Sequence, residues 1–133
     1  MPSIRLIVGL GNPGPEYVGT RHNAGADFVD TLATRHNITL APEKKVAGRL
    51  GRGQVFGQDV RLLVPDTYMN NSGRSVALTS RYFDIEAASL LIAHDELDIP
   101  PGSSRFKDGG GHGGHNGLRD IIPALGTADF WRL

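Results

Sequence analysis

Cysteine is absent from the chain, which removes disulfides, thiolate zinc sites and cysteine nucleophiles together and suits a reducing compartment. An excess of either charge is absent too, with 14 basic residues against 14 acidic ones. Bulk electrostatics therefore selects no polyanionic partner, and any nucleic-acid contact has to come from a local patch. No apolar run is long enough to span a bilayer, and Met1 to Arg5 lead directly into a strand-like stretch. Neither a secretion signal nor a membrane span is expected, and the cytoplasm is the expected compartment. Aromatic residues make up only 7% of the chain, with a single Trp. The stacking platforms of a general RNA-binding module are correspondingly weak.

What the chain does have is glycine, concentrated in Gly109–Gly117, which reads GGGHGGHNG. Glycine costs the most backbone entropy to order and buries the least surface. A segment this rich in it suits a place where backbone is wanted and side chains would obstruct. Linkers favour serine over histidine, whereas here His112, His115 and Asn116 project from the bare chain. The length of 133 residues fits one domain with one real core, and 39% hydrophobic residues is ordinary for a globular protein.

Ile4–Leu10 is a branched apolar run that reads as a buried strand. The loop from Gly11 to His22 holds Pro13 and Pro15, which exclude a regular helix there. Asn23 is placed to cap a helix running to about Arg35, with Phe28, Val29, Leu32 and Ala33 at helical spacing and Asn37 as its stop. Val46–Val64 reads as two strands joined by a turn at Phe56–Asp59. Beyond a polar loop, Asp66–Asn71, Ser72 is placed to cap a second helix to about Phe83, with Val76, Thr79 and Phe83 on one side. Leu90–Ala93 is another buried strand, Pro100–Gly102 a turn and Ser104–Lys107 a short strand. Leu118, Ile121, Ile122 and Leu125 mark a third helix stopped by Gly126, and Phe130–Leu133 starts a strand. Strands alternating with helices, plus a hairpin, give an α/β layered domain over 1–133 with a twisted mixed sheet flanked by helices.

Gly9-Leu10-Gly11-Asn12-Pro13-Gly14 matches the dinucleotide fingerprint letter for letter. The fingerprint requires its glycines to open a helix whose N-terminus holds pyrophosphate. The prolines and the long loop prevent that, and Asp27 and Asp30, at the spacing of the ribose-binding acid, lie on the first helix. Sites in α/β sheets collect at the carboxyl ends of strands. Three such ends present Asn12, Asn70 and Asp95, and the glycine loop adds His115 and Asn116. Asparagine amides donate and accept without charge, which suits gripping a peptide backbone or stabilising an oxyanion. A neutral histidine can take a proton from water when a carboxylate fixes its tautomer. No Ser sits in a Gly-x-Ser-x-Gly elbow, so direct attack by water is simpler than a covalent intermediate. His94, Asp95, Glu96, His112 and His115 are good metal-ligand types, but a compact His-Glu-x-x-His pattern is absent. Taken alone, His22 in Thr20-Arg21-His22-Asn23 reads as a surface or capping residue.

Five motifs in order, GLGNPG, TRHNAG, Tyr68-Met69-Asn70-Asn71-Ser72-Gly73, HDELDIPPG and GGGHGGHNGLRDII, span nearly the whole chain. Together they resemble the bacterial-type peptidyl-tRNA hydrolases. The resemblance implies a monomeric α/β enzyme that cleaves the ester between a peptide and the terminal ribose of tRNA, without metal or other cofactor. It makes His22 the catalytic histidine and Asp95 the supporting carboxylate. Asn12, Asn70 and Asn116 fall on positions that hold substrate and place water, and Tyr17, Tyr68, Met69 and His115 on pocket-lining positions. Lys107 falls on one half of a clamp for the tRNA 5′-phosphate, with Arg105 and Arg119 as nearby cations. Tyr68 stands where some relatives carry Phe. Family members also continue past the position of Leu133, so the chain is expected to lack C-terminal elements. The alternatives left open are a non-catalytic RNA-binding module and an inactive fragment.

Overall fold

In a computed structural model of the chain, the residues described are 4–11, 24–55, 57–66, 72–94, 107–108, 116–125 and 130–132. Their elements run β1 (Leu6–Gly9), α1 (Ala24–Arg35), β2 (Ala41–Glu43), a 3-10 turn (Lys44–Val46), β3 (Gly48–Val55), β4 (Gln58–Pro65) and α2 (Ser72–Tyr82). A second 3-10 turn (Ala87–Ser89) precedes β5 (Leu90–Ala93), β6 (Lys107–Asp108), α3 (Asn116–Leu125) and β7 (Trp131–Arg132). The strands form one seven-stranded sheet in the order β2-β3-β4-β1-β5-β7-β6. β1 runs parallel to β4 and β5, β5 parallel to β7, and the pairs β2–β3, β3–β4 and β6–β7 are antiparallel. The sheet is mixed, as expected from the hairpin.

Alternate residues of the central strands build two cores, because successive side chains of a strand point to opposite faces. Leu6 and Val8 of β1, Leu63 of β4 and Leu90 and Ile92 of β5 pack on one face with Val76 of α2, Ile121 of α3 and Phe130. Ile7, Leu62, Val64 and Leu91 pack on the other face with Ala26, Val29 and Ala33 of α1. Strands covered on both sides must be apolar throughout, which is why β1 and β5 carry no polar residue and are buried along their whole length.

α1 ends as expected at its Asn37 stop, while the cap expected at Asn23 lies outside the described residues. Asn37 has φ 58° just after α1, and Ile38 donates its amide to the Ala33 carbonyl at 2.9 Å, closing the last turn. The expected apolar face of α1 is shifted: its buried residues are Gly25, Ala26, Val29 and Ala33, while Phe28 is an exposed large hydrophobic. The small residues let the helix lie close to the sheet, and a bulkier side chain on that face would hold it away. The hairpin turn is tighter than the four residues expected, since Val55 pairs directly with Gln58 and Gly57 takes φ 79°. Ser72 is the first residue of α2 rather than its cap. β2 was not expected, because Ala41-Pro42-Glu43 has neither alternation nor β-branched residues. It is an edge strand, where Pro is tolerated.

Candidate active site

Parallel pairing of β1 with both β4 and β5 puts three carboxyl ends side by side, with β1 in the centre. β1 leads to Asn12, β4 to Tyr68, Met69 and Asn70, and β5 to Asp95. β1 and its two neighbours, β4 and β5, are segments far apart in the chain, so the grouping is a product of topology. α1 begins at the same edge. Leu10 donates its amide to the Ala93 carbonyl at 2.9 Å, and Ala26 donates its amide to the Leu10 carbonyl at 3.0 Å. The ends of β1 and β5 and the start of α1 are thus joined backbone to backbone. His22 is the second residue before that helix.

Asn12, Tyr17, His22, Tyr68, Met69, Asn70, Asp95 and His115 themselves lie outside the described residues. Asn116 is the first residue of α3, which packs with α2 on the face of the sheet opposite α1. Lys107 opens β6, in register with Arg132 of β7 at the far edge of the sheet. Arg132 is buried, with its guanidinium carbon 4.7 Å from the centre of the Phe130 ring. A buried arginine in a two-residue strand has no sequence signature, and it was not anticipated.

No three His, Asp or Glu side chains come together to hold a metal ion among the described residues. Asp30, one of the two acids at ribose-binding spacing, is instead paired with Arg49 of β3 through two hydrogen bonds of 3.0 and 3.2 Å. No described helix is long and apolar enough to cross a membrane. Among the described residues, clear electrostatic perturbations lie on β3 and the start of β4. There the Arg52 guanidinium, hydrogen-bonded to Asp59, holds that carboxyl below its usual range. Burial, with Arg52 close by, pushes the Arg61 guanidinium down, and it stacks 3.9 Å from the centre of the Phe83 ring.

A family model described as peptidyl-tRNA hydrolase matches residues 6–133. The chain is 61% identical over 131 residues to the peptidyl-tRNA hydrolase of Aeromonas hydrophila, covering 98% of this chain and 66% of the relative. It is 61% identical over 133 residues to that of Acinetobacter baylyi, covering 100% and 68%. The crystal structure of peptidyl-tRNA hydrolase from Acinetobacter baumannii superposes with a TM-score of 0.94 at 58% identity, covering 98% of this chain and 66% of that one. The chain therefore spans about two thirds of the length of these relatives.

Proposed function

This chain belongs to the peptidyl-tRNA hydrolase family, and we propose that it hydrolyses the ester bond of peptidyl-tRNA, releasing peptide and free tRNA, by direct attack of water. The observation that supports this most is the backbone junction of β1, β5 and α1 beside the end of β4. Four separate segments leave or enter the fold there, and they carry Asn12, Asp95, His22 and Asn70.

In this reading His22 takes a proton from water as the water oxygen bonds to the acyl carbon. Asp95 holds the ring in the tautomer that leaves its acceptor nitrogen toward that water and stabilises the imidazolium. The tetrahedral intermediate collapses by breaking the bond to the ribose oxygen, which leaves with the proton from His22. Asn116 places the water or the carbonyl, and its amide suits a developing oxyanion. Asn12 and Asn70 hold the peptide, while Tyr17, Tyr68, Met69 and His115 line the pocket around it. Lys107 meets the 5′-phosphate of tRNA, with Arg105 and Arg119 as neighbouring cations. With so few phosphate contacts and zero net charge, affinity falls only shallowly with salt. The protein acts as a monomer in the cytoplasm, as one α/β domain over 1–133, and without metal or other cofactor.

The decisive experiment is the His22→Ala variant assayed for release of peptide from peptidyl-tRNA. Turnover should be lost while tRNA binding is retained; unchanged turnover removes the mechanism, and binding without turnover in the parent protein favours a non-catalytic RNA-binding role. The parent rate should fall on acidification as the imidazole takes up a proton, and a chelator should leave it unchanged.

A further inference from the structure

Gly25, the second residue of α1, sits against the last residue of β5. A Cβ built on it would overlap the Ala93 carbonyl oxygen and come within 2.8 Å of the Leu10 amide nitrogen. Gly9, the last residue of β1, is equally confined: its Cβ would overlap the Gly25 carbonyl oxygen and lie 2.7 Å from a Val29 methyl. In both cases the obstruction is mainly backbone, which cannot swing aside as a flexible side chain can. The same three segments are linked by the Leu10 to Ala93 and Ala26 to Leu10 hydrogen bonds. Helix start, central strand and neighbouring strand are therefore held at a spacing that only two missing side chains permit.

We infer that Gly25, with Gly9 beneath it, is a positioning residue: its bare backbone sets the separation between the segment that carries His22 and the segment that carries Asp95. The inference rests on the catalytic roles proposed above for those two residues. His22 lies three residues before Gly25 and Asp95 two residues after Ala93. With about 3.8 Å between successive Cα atoms, a displacement of the helix start has little chain in which to dissipate before it reaches the base. Adding a methyl at Gly25 drives the start of α1 away from β5, and misplacement of a catalytic group by about 1 Å costs on the order of 10²-fold in rate. A carboxylate beside an imidazolium raises the imidazole pKa, so loosening the pair should also lower the midpoint of the pH–rate profile.

The test compares Gly25→Ala and Gly9→Ala with Gly51→Ala in the intact protein. Gly51 is a steric control in β3, where a Cβ would meet the Thr39 carbonyl oxygen at 2.6 Å and an Ile38 methyl at 2.8 Å. Gly25→Ala should lower kcat by about 10- to 100-fold, shift the pH midpoint down toward that of Asp95→Asn, and leave tRNA affinity within about threefold of the parent. Gly51→Ala should lose stability yet keep the parent kcat and midpoint. A folded Gly25→Ala variant with the parent kcat and midpoint overturns the inference, as does a Gly51→Ala variant that shifts the midpoint equally. Should both site-edge variants fail to fold, hydrogen exchange on the parent decides. The Leu10 and Ala26 amides must exchange only through global unfolding, and exchange through local opening refutes a rigid junction. An active His22→Ala variant would instead sink the catalytic reading and leave the junction geometry intact.

Discussion

Two serines on α2 should respond in opposite directions to the same substitution. Ser75 is fully buried and its hydroxyl donates to the Val46 carbonyl at 2.6 Å, joining the helix to the 3-10 turn before β3. Ser80, one turn further on, is also buried, and its hydroxyl oxygen has no hydrogen-bond partner among the described residues. Removing the Ser75 hydroxyl leaves the carbonyl of buried Val46 without that donor, at a cost of about 1–3 kcal/mol. The higher helix propensity of Ala returns about 0.5 kcal/mol at either position. At Ser80 that gain adds to relief from burying an unsatisfied hydroxyl, worth about 0.5–2 kcal/mol. Ser75→Ala should therefore destabilise by about 1–2 kcal/mol and Ser80→Ala stabilise by about 1–2 kcal/mol. Urea unfolding reads both as shifts of midpoint at constant slope. Shifts of the same sign in the two variants would refute the reasoning, because a hydrogen-bonded hydroxyl at Ser75 and an unpartnered one at Ser80 call for opposite signs.

Phe130→Ala should cost about 3–5 kcal/mol in the same assay, since the ring is fully buried in the α2–α3 core and carries the Arg132 guanidinium on its face. Arg49→Ala should cost about 0.5 kcal/mol or less, and the loss should shrink in high salt, because the Asp30 pair it breaks is about half exposed. Asp59→Asn should remove a small part of the pH dependence of stability. Arg52 lowers the folded-state pKa of Asp59, so the contribution is present above the ordinary carboxylate range near ~3.9 and disappears as pH falls through the lowered value. Comparing parent and variant unfolding midpoints at neutral and acid pH checks this.

Most local structure was legible because it follows from local chemistry. β1 and β5 are short branched apolar runs, and α1 ends where Asn37 adopts a left-handed turn. The hairpin turns at a glycine with positive φ. The exceptions are instructive. β2 has no β-branched residue and pairs only because β3 offers an edge. Phe28 matches the helical apolar spacing but faces outward, because close packing selects Gly25, Ala26 and Ala33 instead. Burial of Arg132 depends on Phe130 beneath it and β6 beside it, which no stretch of sequence announces.

The candidate site divides along the same line. Its residue types and motifs were readable from the chain alone: the asparagines after strands, the histidine before a helix, the acid after β5 and the glycine-rich loop. Those motifs sufficed for a family resemblance, because composition and spacing are properties of the covalent chain. The sheet order β4-β1-β5, which brings the flanks of Asn70, Asn12 and Asp95 to one edge, was decided by the tertiary structure. So was the close seat of α1 on that edge through Gly9 and Gly25. These strand neighbours and the distance of the helix are set by pairing and packing between segments well separated in the chain. Periodicity within each segment carries no information about which partner it will meet.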